Sequence, residues 1–105
     1  MKRQRESELK STIVKWLNLQ PETFAYTNIT IGIPNGVGGY RRNQNRGAAD
    51  ICGVKGGRAF AIEVKTEKGK LSEYQQNWLG KFDAAGGYAC IVREFGDAAE
   101  AWKEI

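Results

Sequence analysis

A chain of 105 residues, 41% hydrophobic and 27% charged, reads as a single soluble domain spanning 1–105. Sixteen basic residues against twelve acidic ones give a net charge of +4, mild support for a polyanionic partner. The absence of histidine excludes Ser-His and Cys-His triads and imidazole-bound zinc, and two cysteines alone cannot fill a zinc site. Any catalysis must run on carboxylates, lysine and water.

In chain order, residues 6–18 carry Leu9, Ile13, Trp16 and Leu17 at helical spacing. At 100° per residue, Glu6 falls within about 40° of the centre of that stripe, while Glu8 points away. Glu6 is thus the acid aimed at the core edge, although a carboxylate in a first turn also suits the helix dipole. Pro21 ends the helix. Phe24 to Ile33 is aromatic and β-branched, and predicts one strand. Pro34 to Gly47 is a long glycine-rich loop without the Gly-Lys-Ser/Thr ending of a phosphate-binding P-loop. It carries Tyr40, Arg41, Arg42 and Arg46, a mixture suited to phosphate contacts and stacking on nucleic acid, or equally to a solvated loop.

Ala49 to Val54 and Arg58 to Lys65 predict a hairpin turning at Gly56-Gly57. Facing residues then have numbers with a constant sum, so Val54 meets Ala59, Cys52 meets Ala61 and Asp50 meets Glu63. Two ionised carboxylates roughly 5 Å apart repel by about 3 kcal/mol at an effective dielectric near 20. A divalent cation or a shared proton would relieve that. If a cation is the answer, an amide in place of either acid should spare the metal-free protein. Lys65 projects from the same face as Glu63, and the alanines of that face leave room for a shallow cleft.

Ser72-Glu73-Tyr74-Gln75 matches a helix capping box, and that helix runs to Gly86-Gly87. Tyr88 to Val92 predicts a short strand, and Gly96 to Glu104 a final helix. Cys52 and Cys90 fall in strand-like segments and read as free buried thiols. No apolar run approaches the ~20 residues of a bilayer span, and the basic N-terminus leads into an amphipathic segment, so a cytoplasmic location is expected.

Asp50 followed by Glu63-Val64-Lys65, after a helix bearing a glutamate, resembles the PD-(D/E)XK nucleases. The longer run of Arg46-Gly47-Ala48-Ala49-Asp50-Ile51, Gly57-Arg58, Ile62-Glu63-Val64-Lys65-Thr66, Gly69-Lys70-Leu71-Ser72, Gln75 and Trp78-Leu79 resembles the VRR-NUC family in order and spacing. Small stand-alone members are typically encoded by phages and prophages. The Val-Arg-Arg element is not obvious, and Tyr40-Arg41-Arg42 is its loose counterpart. The resemblance implies an α/β, restriction-endonuclease-like core: a mixed central sheet flanked by helices in the order α-β-β-β-α-β-α. It implies an endonuclease dependent on Mg²⁺ or Mn²⁺ and acting on DNA. Asp50, Glu63 and the Val64 carbonyl would be metal ligands, with Glu6 closing the site directly or through water. Lys65 would touch the attacking water or the phosphate, and Gln75 would sit beside it. By the same resemblance the protein is a homodimer that cuts branched DNA such as Holliday junctions. A flap or duplex nuclease of the same fold, and a non-catalytic nucleic-acid-binding module, are the alternatives.

Overall fold

The computed structural model describes residues 6–28, 33–34, 40–41, 46–66 and 68–105, with the backbone alone at 33–34 and 40–41. Helix α1, Glu6–Leu17, buries Leu9, Ile13 and Leu17, the stripe its periodicity predicts. Its two glutamates lie in the first turn and Lys15 in the last, the charge order a helix dipole favours. Strand β1 is Thr23–Thr27, five residues long, so the single strand expected from Phe24 to Ile33 is divided. β1 leaves the main sheet at Asn28. The Asn28 N–H still donates to the Asp50 carbonyl at 2.8 Å, and its side-chain amide donates to the Ala49 carbonyl at 2.8 Å. Ile33–Pro34 (β2) pairs instead with Tyr40–Arg41 (β3) in a separate antiparallel ribbon.

Strands β4, Ile51–Lys55, and β5, Arg58–Val64, form the expected hairpin. Gly56 and Gly57 have φ of 53° and 88°, the paired positive angles that a two-residue turn needs and that glycine adopts without strain. Val54 faces Ala59 and Cys52 faces Ala61, as the turn dictates. Helix α2, Glu73–Ala84, then carries the chain over to β6, Tyr88–Val92, which lies parallel to β5. Parallel neighbours require such a crossover. Helix α3, Phe95–Glu104, follows. The four-stranded sheet has the order β1-β4-β5-β6, so the hairpin supplies both central strands.

Strand alternation sorts the core onto two faces. Ile51, Phe60, Ile62, Val64 and Val92 pack under Leu9, Ile13 and Leu17 of α1 and Ala98 of α3. Trp16 closes this layer edge-on to Phe95 and Trp102, with centroids 5.6 and 6.1 Å away. The other face has small residues, Ala49, Cys52 and Ala61, against Leu79 of α2. Both cysteines are free. Lys55, at the hairpin tip, donates to the Trp102 carbonyl at 2.6 Å and lies over that indole, whose Nε1–H donates to Thr23 Oγ1 at 3.0 Å. This ties α3 to the hairpin tip and to the start of β1.

Candidate active site

Glu63 is the one buried charged-type residue among those described, 1% exposed, and it lies near the end of the central strand β5. Alternation that turns Ile62 and Val64 into the large apolar core turns Glu63 to the alanine-lined face. Asp50 stands immediately before β4, at a bend, where the register of the hairpin brings it across from Glu63. One Asp50 oxygen accepts the Val64 backbone N–H at 2.9 Å, and the other lies 3.5 Å from Lys10 Nζ. The two carboxyl groups lie close enough for each to alter the proton affinity of the other. One Glu63 oxygen, Oε2, is buried with no hydrogen-bond partner among the described residues.

This geometry splits the protonation of the pair. Burial pushes the Glu63 carboxyl up to about 9, helped by the hydrogen bond and negative charge of Asp50 and by Glu6, while Lys65 opposes the shift. Burial also raises Asp50, but the hydrogen bonds from Glu63 and Val64 and the Lys10 charge outweigh it and leave Asp50 below its ordinary value. The two acids are thus pushed apart, Glu63 toward its protonated form and Asp50 toward its charged form. A proton kept on Glu63 is one way to relieve the expected repulsion between two anions.

Helices α1 and α2 supply the surroundings. Glu6 is near enough to act electrostatically on Glu63, as its place on the helix predicts. Among the described residues no three Asp, Glu, His or Cys side chains converge into a metal cage. Lys65 begins the segment after β5, its N–H donating to the Val92 carbonyl at 3.0 Å and its charge felt by Glu63. Arg93 steadies that segment by donating to the carbonyls of Thr66 and Gly69 at 2.7 and 2.9 Å. Gln75 takes its structural role: its Oε1 accepts the Ser72 N–H at 2.9 Å, while its own N–H donates to Ser72 Oγ at 3.2 Å. Arg46 is exposed, with its guanidinium carbon 3.7 Å from the centre of the Tyr74 ring. Arg42 and the side chains of Tyr40 and Arg41 lie outside the described residues.

Lys10 and Arg93 were not anticipated from sequence. Lys10 follows Glu6 by four positions and so shares its flank of α1, a signal the sequence does carry. Arg93 reaches carbonyls far away in the chain, and nothing local marks it. A groove of about 380 Å³ beside β6 and α3, lined by Asp97, Glu100 and Glu104 with Tyr88 and Cys90, holds neither Asp50 nor Glu63.

No family model and no curated protein matches the chain by sequence. Among solved structures it is similar to a "VRR_NUC domain", with a TM-score of 0.66, 16% identity, and coverage of 93% of this chain and 94% of the other. Sequence identity this low speaks for architecture alone, and over nearly its full length the chain has the fold of a VRR-NUC domain.

Proposed function

We propose that the protein is a Mg²⁺- or Mn²⁺-dependent endodeoxyribonuclease that acts as a homodimer on branched DNA. One observation carries the reading: the Asp50–Glu63 carboxyl pair, in which Glu63 is buried with one oxygen lacking a partner, beside Lys65 at the end of the central hairpin. Two carboxylates and the nearby Val64 carbonyl form a hard oxygen set that suits a small divalent cation retaining several waters. Glu6, near enough to act electrostatically on Glu63, would close the site directly or through one of those waters. Bound there, Mg²⁺ or Mn²⁺ would supply an acidified water and offset charge on the scissile phosphate.

The protein's own groups then have definite tasks. Glu63 gives up its proton when it becomes a ligand, so cation affinity rises with pH. Asp50 is held ready in its charged form by Val64 and Lys10. Lys65 presents its ammonium to the phosphate oxygens as negative charge builds there. Resolution of a four-way junction requires two cuts and each chain has one such pair among its described residues, which is the ground for a homodimer.

The test is cleavage of an end-labelled four-way junction with Mg²⁺ or Mn²⁺, alongside linear duplex, EDTA and Glu63→Ala controls, with size in solution measured in parallel. Cutting of the junction that stops with EDTA and with Glu63→Ala is the expected result. Cleavage surviving both controls would remove the metal assignment, and equal cutting of linear duplex would remove the branched-DNA preference. A monomer that still resolves junctions would remove the dimer.

A further inference from the structure

Tyr74 lies in the first turn of α2 and is 49% exposed, so burial in the core does not account for a tyrosine there. Its ring instead carries the Arg46 guanidinium, 3.7 Å from the ring centre. The backbone fixes this arrangement. Gly47 has φ of 85°, and a Cβ at that position would collide with the Tyr74 carbonyl, so the chain there is pressed directly on the first turn of α2. Ala48 and Ala49 are buried immediately afterwards, and Asp50 follows. Four residues span at most about 14 Å, which places the stacked pair at the rim of the Asp50–Glu63 site.

A guanidinium stacked on an aromatic face uses its flat surface and keeps its edge N–H donors in the plane, the fork that grips phosphate. We propose that Arg46 and Tyr74 form a phosphate clamp in which the Tyr74 ring holds the guanidinium edge toward a DNA backbone phosphate neighbouring the scissile one. The clamp rests on the nuclease reading above for its ligand. Arg46 makes the contact and Tyr74 is a positioning residue. Because the contact is to backbone, the clamp aids junction and duplex alike and carries no base preference.

The experiment measures binding of a fluorescein-labelled four-way junction and a matched duplex in EDTA across a salt series, with cleavage in Mg²⁺ measured separately. Arg46→Ala is expected to weaken binding about tenfold and to lower the slope of log affinity against log salt by about 0.9, one phosphate contact. Tyr74→Leu is expected to weaken binding about 3-fold, the scale of an exposed cation–π contact, with the slope retained. Tyr74→Phe restores wild-type affinity, since the ring and not the hydroxyl is used. In the Arg46→Ala background Tyr74→Leu has no further effect.

The clamp is overturned if Tyr74→Leu binds like wild type, if its loss persists without Arg46, or if Arg46→Ala leaves the salt slope unchanged. Wild-type protein that binds DNA but never cuts it, with the Arg46 and Tyr74 effects as expected, removes the nuclease reading and leaves the pair as a clamp on a backbone phosphate without reference to a scissile one. Intact cleavage with no effect of either substitution on binding removes the clamp alone. Absence of DNA binding removes both.

Discussion

The two faces of the sheet use the same strands for opposite ends. Under α1 and α3 the strands present Phe60, Ile62 and Val64, all fully buried, and the layer is sealed by three aromatic rings. Under α2 the same strand presents Ala61 and Glu63, and α2 leaves part of the face uncovered. Phe24, Tyr26 and Val54, which alternation puts on this second face, are 65%, 48% and 43% exposed. Large side chains exclude water and hold the fold, whereas alanines make room for a carboxyl pair that the fold alone does not need. The contrast shows why Glu63 can sit on a central strand with Asp50 across from it: the opposite face supplies enough burial to bear the cost.

The comparison can be broken most severely at Phe60. Phe60→Ala should cost about 3–5 kcal/mol, the usual range for emptying a packed aromatic site, read as the shift of a urea unfolding curve. A loss below 1 kcal/mol would mean that the two faces share the load.

Glu63→Gln should act in the other direction on metal-free protein. Glu63 binds its proton more tightly folded than unfolded, so its contribution is complete below the ordinary pKa of 4.5 and is lost as pH rises toward about 9. Wild-type stability should fall by roughly 2 kcal/mol between neutral pH and that limit, whereas Glu63→Gln should be nearly flat. A wild-type curve that rises over this interval would show that Glu63 is ionised in the folded protein. Asp50→Asn should differ, because Asp50 is held below its ordinary value and stabilises the fold above it, with loss only in acid. The sequence-based expectation that either amide spares the metal-free protein is therefore tested most sharply by Asp50→Asn, where a large loss would make the pair structural.

Lys10→Met removes the ammonium 3.5 Å from Asp50, a partly exposed pair whose attraction water and salt weaken. Mn²⁺ affinity by titration calorimetry should rise about tenfold, since a resident cation no longer competes, equivalent to ~1.4 kcal/mol. Weaker Mn²⁺ binding would instead give Lys10 the task of orienting Asp50 for the metal. The smallest effect is expected from Gln75→Glu, which keeps the capping box and should alter stability by less than about 0.5 kcal/mol. A large loss of cleavage in that variant, with the fold intact, would assign the Gln75 amide to the chemistry.

Much of this was legible because local rules and tertiary demands agree. The glycine pair fixes the hairpin turn, the turn fixes the register, and the register brings Asp50 across from Glu63. The capping box at Ser72 likewise reads directly into geometry. The strand expected to run on to Ile33 failed because propensity cannot report that the ladder partner β4 starts at Ile51, opposite Thr27. A proton on Glu63 and a bound cation are two remedies that residue types alone leave open. The raised proton affinity of Glu63 depends on its burial and on the positions of Asp50, Lys65 and Glu6, which no spacing rule supplies.

The three tryptophans divide between the two faces in a way that can be read with light. Trp16 and Trp102 lie edge to face at 6.1 Å, close enough for their transitions to couple and split the far-ultraviolet dichroism. Trp78 stands apart on α2, stacked on Phe82 at 5.2 Å. Release of α3 should therefore erase the indole couplet, while events beside α2 alter Trp78 emission and leave the couplet intact. A single unlabelled sample thus reports separately on the closed layer and on the layer that carries the acids.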